Sequence, residues 1–204
     1  MLVHYDQHRK QLQEEYEKAS KELMDCCQEA HGIRVKAAEK LTVLMKEQLG
    51  ELNFLDVQFE ISVKDTGTPS AAGFDDVEFL ISTNPGEPMK PLGKIASGGE
   101  LSRVMLAIKT VMADQDEIDT VIFDEIDTGI SGRTAQKVSE KLALIGQSRQ
   151  VICITHLAQL ASMADGHYCI EKQALDGSTQ TQIRRLSGEE ITEELARILG
   201  GARI

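Results

Sequence analysis

At 204 residues, 41% of them apolar and 27% charged, the chain is long enough for one ordinary domain plus an appendage, and its apolar content excludes disorder throughout. Thirty-three acidic residues against 22 basic ones leave a net charge of −11, which opposes bulk attraction to nucleic acid, so a DNA-acting role needs a local basic patch or a separate part of the molecule. Aromatics make up only 4% and tryptophan is absent, which points to an aliphatic core of the kind parallel α/β sheets have.

The first residues, with Asp6, His8, Arg9 and Lys10, do not resemble a signal peptide. No apolar run approaches the roughly 20 residues of a membrane span. Cys26, Cys27, Cys153 and Cys169 show no C-x-x-C spacing and suit reduced thiols. The expectation is a cytoplasmic protein without a membrane partner.

From Tyr5 to Leu44 a four-three spacing picks out Tyr5, Leu12, Tyr16, Ala19, Leu23, Cys26, Ala30, Ile33, Ala37 and Leu44, a coiled-coil stripe. Arg9 and Lys40 weaken the seam, and Gly32 interrupts it at a cost of about 1 kcal/mol relative to alanine. The alternative is a long helix packed on its own domain. Around Asn53 the period changes to two: Val57, Phe59, Ile61 and Val63, then Val77, Phe79 and Ile81, read as an antiparallel strand pair. Asn84-Pro85-Gly86 opens a loop that runs to Ser97.

After Ser97, the residues Leu101, Val104, Met105, Ile108, Val111 and Met112 mark one face of a helix ending near Asp114. Val121-Ile122-Phe123 is a short buried strand, Arg133 to Ile145 a helix, and Val151 to Ile154 a second buried strand. That order and its length of roughly 30 residues fit a right-handed β-α-β crossover with parallel strands. A helix near Ala158 to Ala164, strands near His167 to Ile170 and Gln180 to Leu186, and a helix from Glu189 to Leu199 complete the chain.

Parallel strands end on one edge of their sheet, and open α/β sheets bind ligands there. Asp124-Glu125 and Thr155-His156 follow the two buried strands and therefore share that edge. Paired acids at such a place can hold a metal ion and activate a water. Ser97-Gly98-Gly99-Glu100 opens the preceding helix, where exposed N–H groups attract anions. S-x-x-E is also an ordinary capping box, seen again at Ser187 to Glu190, so only the paired glycines set Ser97 apart. A phosphate loop of the form G-x-x-x-x-G-K-[ST] is absent: at Gly93-Lys94, Pro88 stands where the first glycine belongs and Ile95 where the hydroxyl belongs.

Together, Ala96 to Glu100, Val121 to Glu125 and His156 resemble the signature motif, Walker B strand and switch histidine of ABC-type ATPases. Within that superfamily, the stretches Lys94 to Arg103 and Phe123 to Gly132, with Asn84-Pro85-Gly86 and Ile154 to Gln159, resemble the SMC-like RecN family of bacterial DNA-repair proteins. The resemblance implies the C-terminal half of an ABC-type P-loop head, with residues 1–50 a returning coiled-coil helix and 51–204 the C-terminal part of the head.

It also implies ATP and Mg²⁺ as cofactors. Asp124 would hold Mg²⁺, Glu125 would orient or deprotonate the attacking water, and His156 would meet the γ-phosphate. Ser97, Gly98, Gly99 and Glu100 would face a nucleotide held by an opposite head, and Asp127, Thr128, Gly129 and Ser131 would belong to the loop between two heads. The partners implied are the N-terminal half of the same protein, a second head in an ATP-bridged homodimer, and DNA, whose contact residues the sequence does not locate. Two alternatives stay open: a non-catalytic dimerisation and coiled-coil fragment, and the ATPase head of another SMC-like or transporter system.

Overall fold

The computed structural model describes residues 2–54, 56–95, 97–113, 117–175 and 178–200, the side chains of 2–4, 173–175 and 178 excepted. Ala96 and the expected helix end at Asp114 lie outside the described residues. Contacts divide the chain into two compact units, 1–46 with 56–93 and 47–55 with 94–204.

Helix α1 runs unbroken over Leu2–Glu51, 50 residues or about 75 Å of helix. It passes straight through Gly32, around which there is open space, so the glycine weakens the helix without ending it. Tyr5, Leu12, Tyr16, Leu23 and Ile33 of the sequence stripe are exposed, while Cys27, Ala38, Met45 and Leu49 are buried. The buried face is thus in a different register from the seam, and the seam stays open along the N-terminal part of α1.

The first unit adds an antiparallel hairpin to that helix. Strands β1 (Gln58–Ser70) and β2 (Gly73–Ser82) pair from Gln58 with Ser82 to Asp65 with Asp75, and a short β3 (Lys90–Pro91) joins β2. The expected pair is present but longer, because the Gly67 to Gly73 stretch continues the ribbon past a register shift. Inward alternation buries Phe59, Phe74 and Ile81. Asp75 is fully enclosed and accepts from Arg34 Nη1 at 2.7 Å, with His31 Nδ1 at 2.6 Å. Burial pushes its carboxyl up, but those two partners outweigh burial and hold it below its ordinary value.

The second unit holds helix α2 (Gly98–Val111), strand β4 (Thr120–Phe123), helix α3 (Gly132–Gly146), strand β5 (Gln150–Cys153), the single turn α4 (Ala158–Ala161), strands β6 (His167–Leu175) and β7 (Ser178–Leu186), and helix α5 (Glu189–Ile198). Strands β4 and β5 pair in parallel from Thr120 with Gln150 to Phe123 with Cys153, as the crossover requires. Their register brings Asp124 and Thr155 to one sheet edge. Strands β6 and β7 form a separate antiparallel ribbon.

The core collects Val104, Leu106 and Ala107 of α2, Phe123, Ile126, and Ala135, Val138, Leu142 and Ile145 of α3. Helix α3 packs on α2, β5 and α4. One face of the parallel pair is open, with Ile122 65% and Ile152 44% exposed, although parallel sheets are ordinarily covered on both faces. No helix among the described residues is long and apolar enough to cross a membrane.

A buried lysine ties the end of α1 to α3. Lys141 Nζ donates to Glu51 Oε2 at 2.6 Å and to Gln48 Oε1, and only 7% of the residue is exposed. The Lys141 hydrogen bond, aided by its charge, holds the Glu51 carboxyl below its ordinary 4.5. Removing Lys141 leaves a carboxylate that water can reach, whereas removing Glu51 leaves a buried ammonium without its counter-charge, on Gln48 alone.

Glu51→Ala is therefore expected to cost about 1–2 kcal/mol, discounted from a fully buried pair because the Glu51 side chain is 46% exposed. A carboxyl depressed on folding contributes stability that is present above its ordinary pKa and lost as the pH falls through its folded value. Thermal unfolding should show the gap between wild type and Glu51→Ala at about pH 7 and its narrowing as the pH falls below the ordinary carboxylate value. A gap that persists in acid contradicts the pairing.

Candidate functional site at the parallel sheet edge

Ser97 opens α2 with extended backbone (φ −96°, ψ 122°), and its hydroxyl accepts from the Glu100 N–H at 3.4 Å. At that length the cap is weak, so capping alone gives little reason for the motif. The reciprocal half of a capping box occurs instead at Ser187, whose N–H donates to Glu190 Oε2 at 3.0 Å.

The glycines have a reason within this chain. A Cβ on Gly99 would lie 2.9 Å from both the Glu125 carbonyl oxygen and Thr128 Cβ, and a Cβ on Gly98 would overlap Glu125 Oε2. The bare helix start is therefore pressed against the loop after β4. Gly99 is buried there and Gly98 remains exposed.

That loop begins with two exposed acids. Ser102 Oγ donates to the Asp124 carbonyl oxygen at 2.7 Å, which fastens the strand end to α2. Glu125 has φ 56°, the left-handed region that non-glycine residues enter at a cost of roughly 1–3 kcal/mol and that clusters at functional positions. The Thr128 N–H closes the turn onto the Glu125 carbonyl at 3.0 Å. Ile126 and Asp127 are buried behind it, while Thr128, Gly129 and Ser131 are exposed.

Asp127 bridges the two strand ends. Its Oδ2 accepts from Thr155 Oγ1 at 2.5 Å and from the His156 N–H at 2.8 Å, and lies 3.1 Å from His156 Nδ1. The His156 side chain itself is 72% exposed. Burial, with the nearby Asp127 and Asp124 charges, pushes the Cys153 thiol up to about 11, so this cysteine is no nucleophile at neutral pH.

The structure thus brings Gly98 and Gly99 against Glu125 and Thr128, Ser102 against Asp124, and Asp127 against Thr155 and His156. Sequence reasoning missed Arg103. It is buried among the apolar residues of α2, donates from Nη1 to the Thr128 carbonyl at 2.9 Å, and sets its guanidinium carbon 5.4 Å from the Phe54 ring centroid. Burial pulls its pKa down, with Glu100 opposing, and its Nε lacks a hydrogen-bond partner among the described residues.

The buried face of α2 is accordingly Gly99, Arg103, Val104, Leu106 and Ala107, with Met105 and Met112 turned outward. This corrects the face read from the apolar spacing, and an arginine in the core is the reason. Its signal was the place of Arg103 beside Val104, one helical turn past Gly99.

No family model matches the chain. The fold is similar to the Smc head domain with a coiled coil and joint from Pyrococcus yayanosii, with a TM-score of 0.65 at 19% identity, covering 96% of this chain and 36% of that one. The molecule is therefore a mixed α/β segment of the SMC head type, its long first helix matching a coiled-coil segment.

Two curated relatives narrow this further. DNA repair protein RecN of Halalkalibacterium halodurans is 43% identical over 207 aligned residues, covering 100% of this chain and 37% of its own length. That of Treponema pallidum is 57% identical over 129 residues, covering 63% of this chain and 22% of its own length. The chain belongs to the RecN family and spans about a third of the length of the first of these relatives, in their C-terminal part.

Proposed function

We propose that this chain is the C-terminal half of an ATP-hydrolysing, DNA-acting SMC-like protein of the RecN type, working in recombinational repair of DNA double-strand breaks. The observation that carries the reading is the meeting, at one parallel sheet edge, of exposed acids after β4, a histidine after β5 and a glycine-opened helix. In this reading residues 1–50 are the returning coiled-coil helix and 51–204 the C-terminal part of the head. The open apolar faces of α1 and of the β4 and β5 pair are covered by the N-terminal half of the same protein, which brings the phosphate loop.

Asp124 is an exposed hard-oxygen donor of the kind Mg²⁺ takes, and it holds that ion. The ion, when bound, neutralises phosphate charge. Glu125 lies one residue further on and orients or deprotonates the attacking water. His156 meets the γ-phosphate.

Because the Glu125 side chain packs on Gly98 of its own chain, no phosphate fits between them. The exposed side of Ser97 and Gly98, with Gly99 and Glu100 behind, instead faces the nucleotide of a second head. Thr128, Gly129 and Ser131, exposed on the turn, meet that partner, so two heads pair around ATP. DNA contacts are not assigned to residues.

Supplying the N-terminal half tests the reading. Mixing the halves is expected to give ATP turnover, and a mixture that binds ATP without turning it over would favour the non-catalytic pairing role.

A further inference from the structure

We infer that Asp127 is the positioning residue of His156: its buried carboxylate spans the ends of β4 and β5, fixes which ring nitrogen carries the proton, and makes no nucleotide contact itself. The inference rests on the proposed role of His156 at the γ-phosphate.

Asp127 is 3% exposed, so its charge needs donors from within the protein. Two of them are rigid. The Thr155 hydroxyl and the His156 main-chain N–H reach the same oxygen, at 2.5 and 2.8 Å, and hold it whatever the imidazole does. Thr155 is itself held, since its Oγ1 accepts the Leu157 N–H at 3.0 Å.

The opposite end is fixed as well. The left-handed backbone at Glu125 and the turn closed by Thr128 carry Asp127 back under the end of β5. An anchored carboxylate can therefore dictate to an exposed ring.

His156 Nδ1 lies 3.1 Å from that oxygen. A lone pair on Nδ1 would face the carboxylate oxygen at that distance, so the carboxylate favours the form with the proton on Nδ1, and this charge contact sets the tautomer. Nε2 is then left on the exposed side of the ring, as a lone pair in the neutral form and as a donor in the charged one. An aspartate behind a histidine does this work in other sites, where losing the partner costs orientation more than binding.

The experiment is two-armed. In this chain, labelled at histidine with ¹⁵N, long-range proton–nitrogen spectra are expected to show neutral His156 as the Nδ1–H form. Asp127→Ala should lose that preference. Asp127→Asn should weaken it, since an amide can turn either its oxygen or its NH2 to the ring. Wild-type His156 in the Nε2–H form, or an unchanged tautomer in Asp127→Ala, overturns the inference. If Asp127→Ala does not fold, the wild-type spectrum still decides.

In the two-half protein, Asp127→Ala is expected to lower kcat by about 10- to 100-fold with KM for ATP unchanged. A rise in KM at unchanged kcat would mean a nucleotide contact and overturn the inference. Absence of any turnover in the wild-type mixture would instead defeat the ATPase reading and leave the tautomer result standing.

Discussion

Glu125→Gln in the two-half protein is expected to leave ATP binding intact and reduce turnover by about 10²- to 10⁴-fold, the range for loss of a general base. The substitution keeps the size and reach of the side chain and removes only the basic carboxylate. The same left-handed backbone and the same closed turn remain available to glutamine, so the loop should keep its shape. Single-turnover rates and a binding titration, taken together, separate chemistry from affinity. Full turnover in Glu125→Gln means that another group activates the water.

Gly99→Ala is the second large effect, and it acts through packing. By helix propensity alone alanine should stabilise α2 by about 1 kcal/mol. Its Cβ would instead sit 2.9 Å from the Glu125 carbonyl and Thr128 Cβ and 3.2 Å from the Thr128 carbonyl, atoms of a loop that Arg103, one helical turn further along α2, also holds. Overpacking of that kind costs about 1–3 kcal/mol, so net destabilisation is expected.

The loop that must yield carries Glu125, and misplacing a catalytic group by about 1 Å costs up to about 10²-fold in rate. Gly32→Ala, where nothing lies within 4 Å, is the matched control and should raise the unfolding temperature. A Gly99→Ala protein as stable and active as wild type would show that the close approach is not real.

Much of this site was legible in residue order. Two apolar runs separated by one helix demanded a parallel crossover, and a crossover places Asp124-Glu125 and Thr155-His156 on one edge whatever surrounds them. The helix faces were less legible, for a physical reason. Helix α2 carries apolar residues on more than one side, between Glu100, Ser102, Arg103, Lys109 and Thr110, so periodicity could not choose between the side holding Met105 and Met112 and the side that buries Arg103.

On α1 the apolar spacing found a stripe that stays exposed, while Cys27, Ala38, Met45 and Leu49 form the face that is buried. The role of Gly99 was half-read. Close approach was the right expectation, yet the approaching group in this chain is the Glu125 to Thr128 loop. The resemblance put Asp127 in the loop between two heads, and its burial against the end of β5 leaves no mark in local sequence.

The central claim is that this chain supplies acids, histidine and signature edge but not the grip on the phosphates. ATP turnover by the purified chain, measured before and after addition of the N-terminal half, tests it most directly. The account predicts none before addition and Glu125-dependent turnover after it. Turnover by the chain alone, abolished by Glu125→Gln, would contradict it.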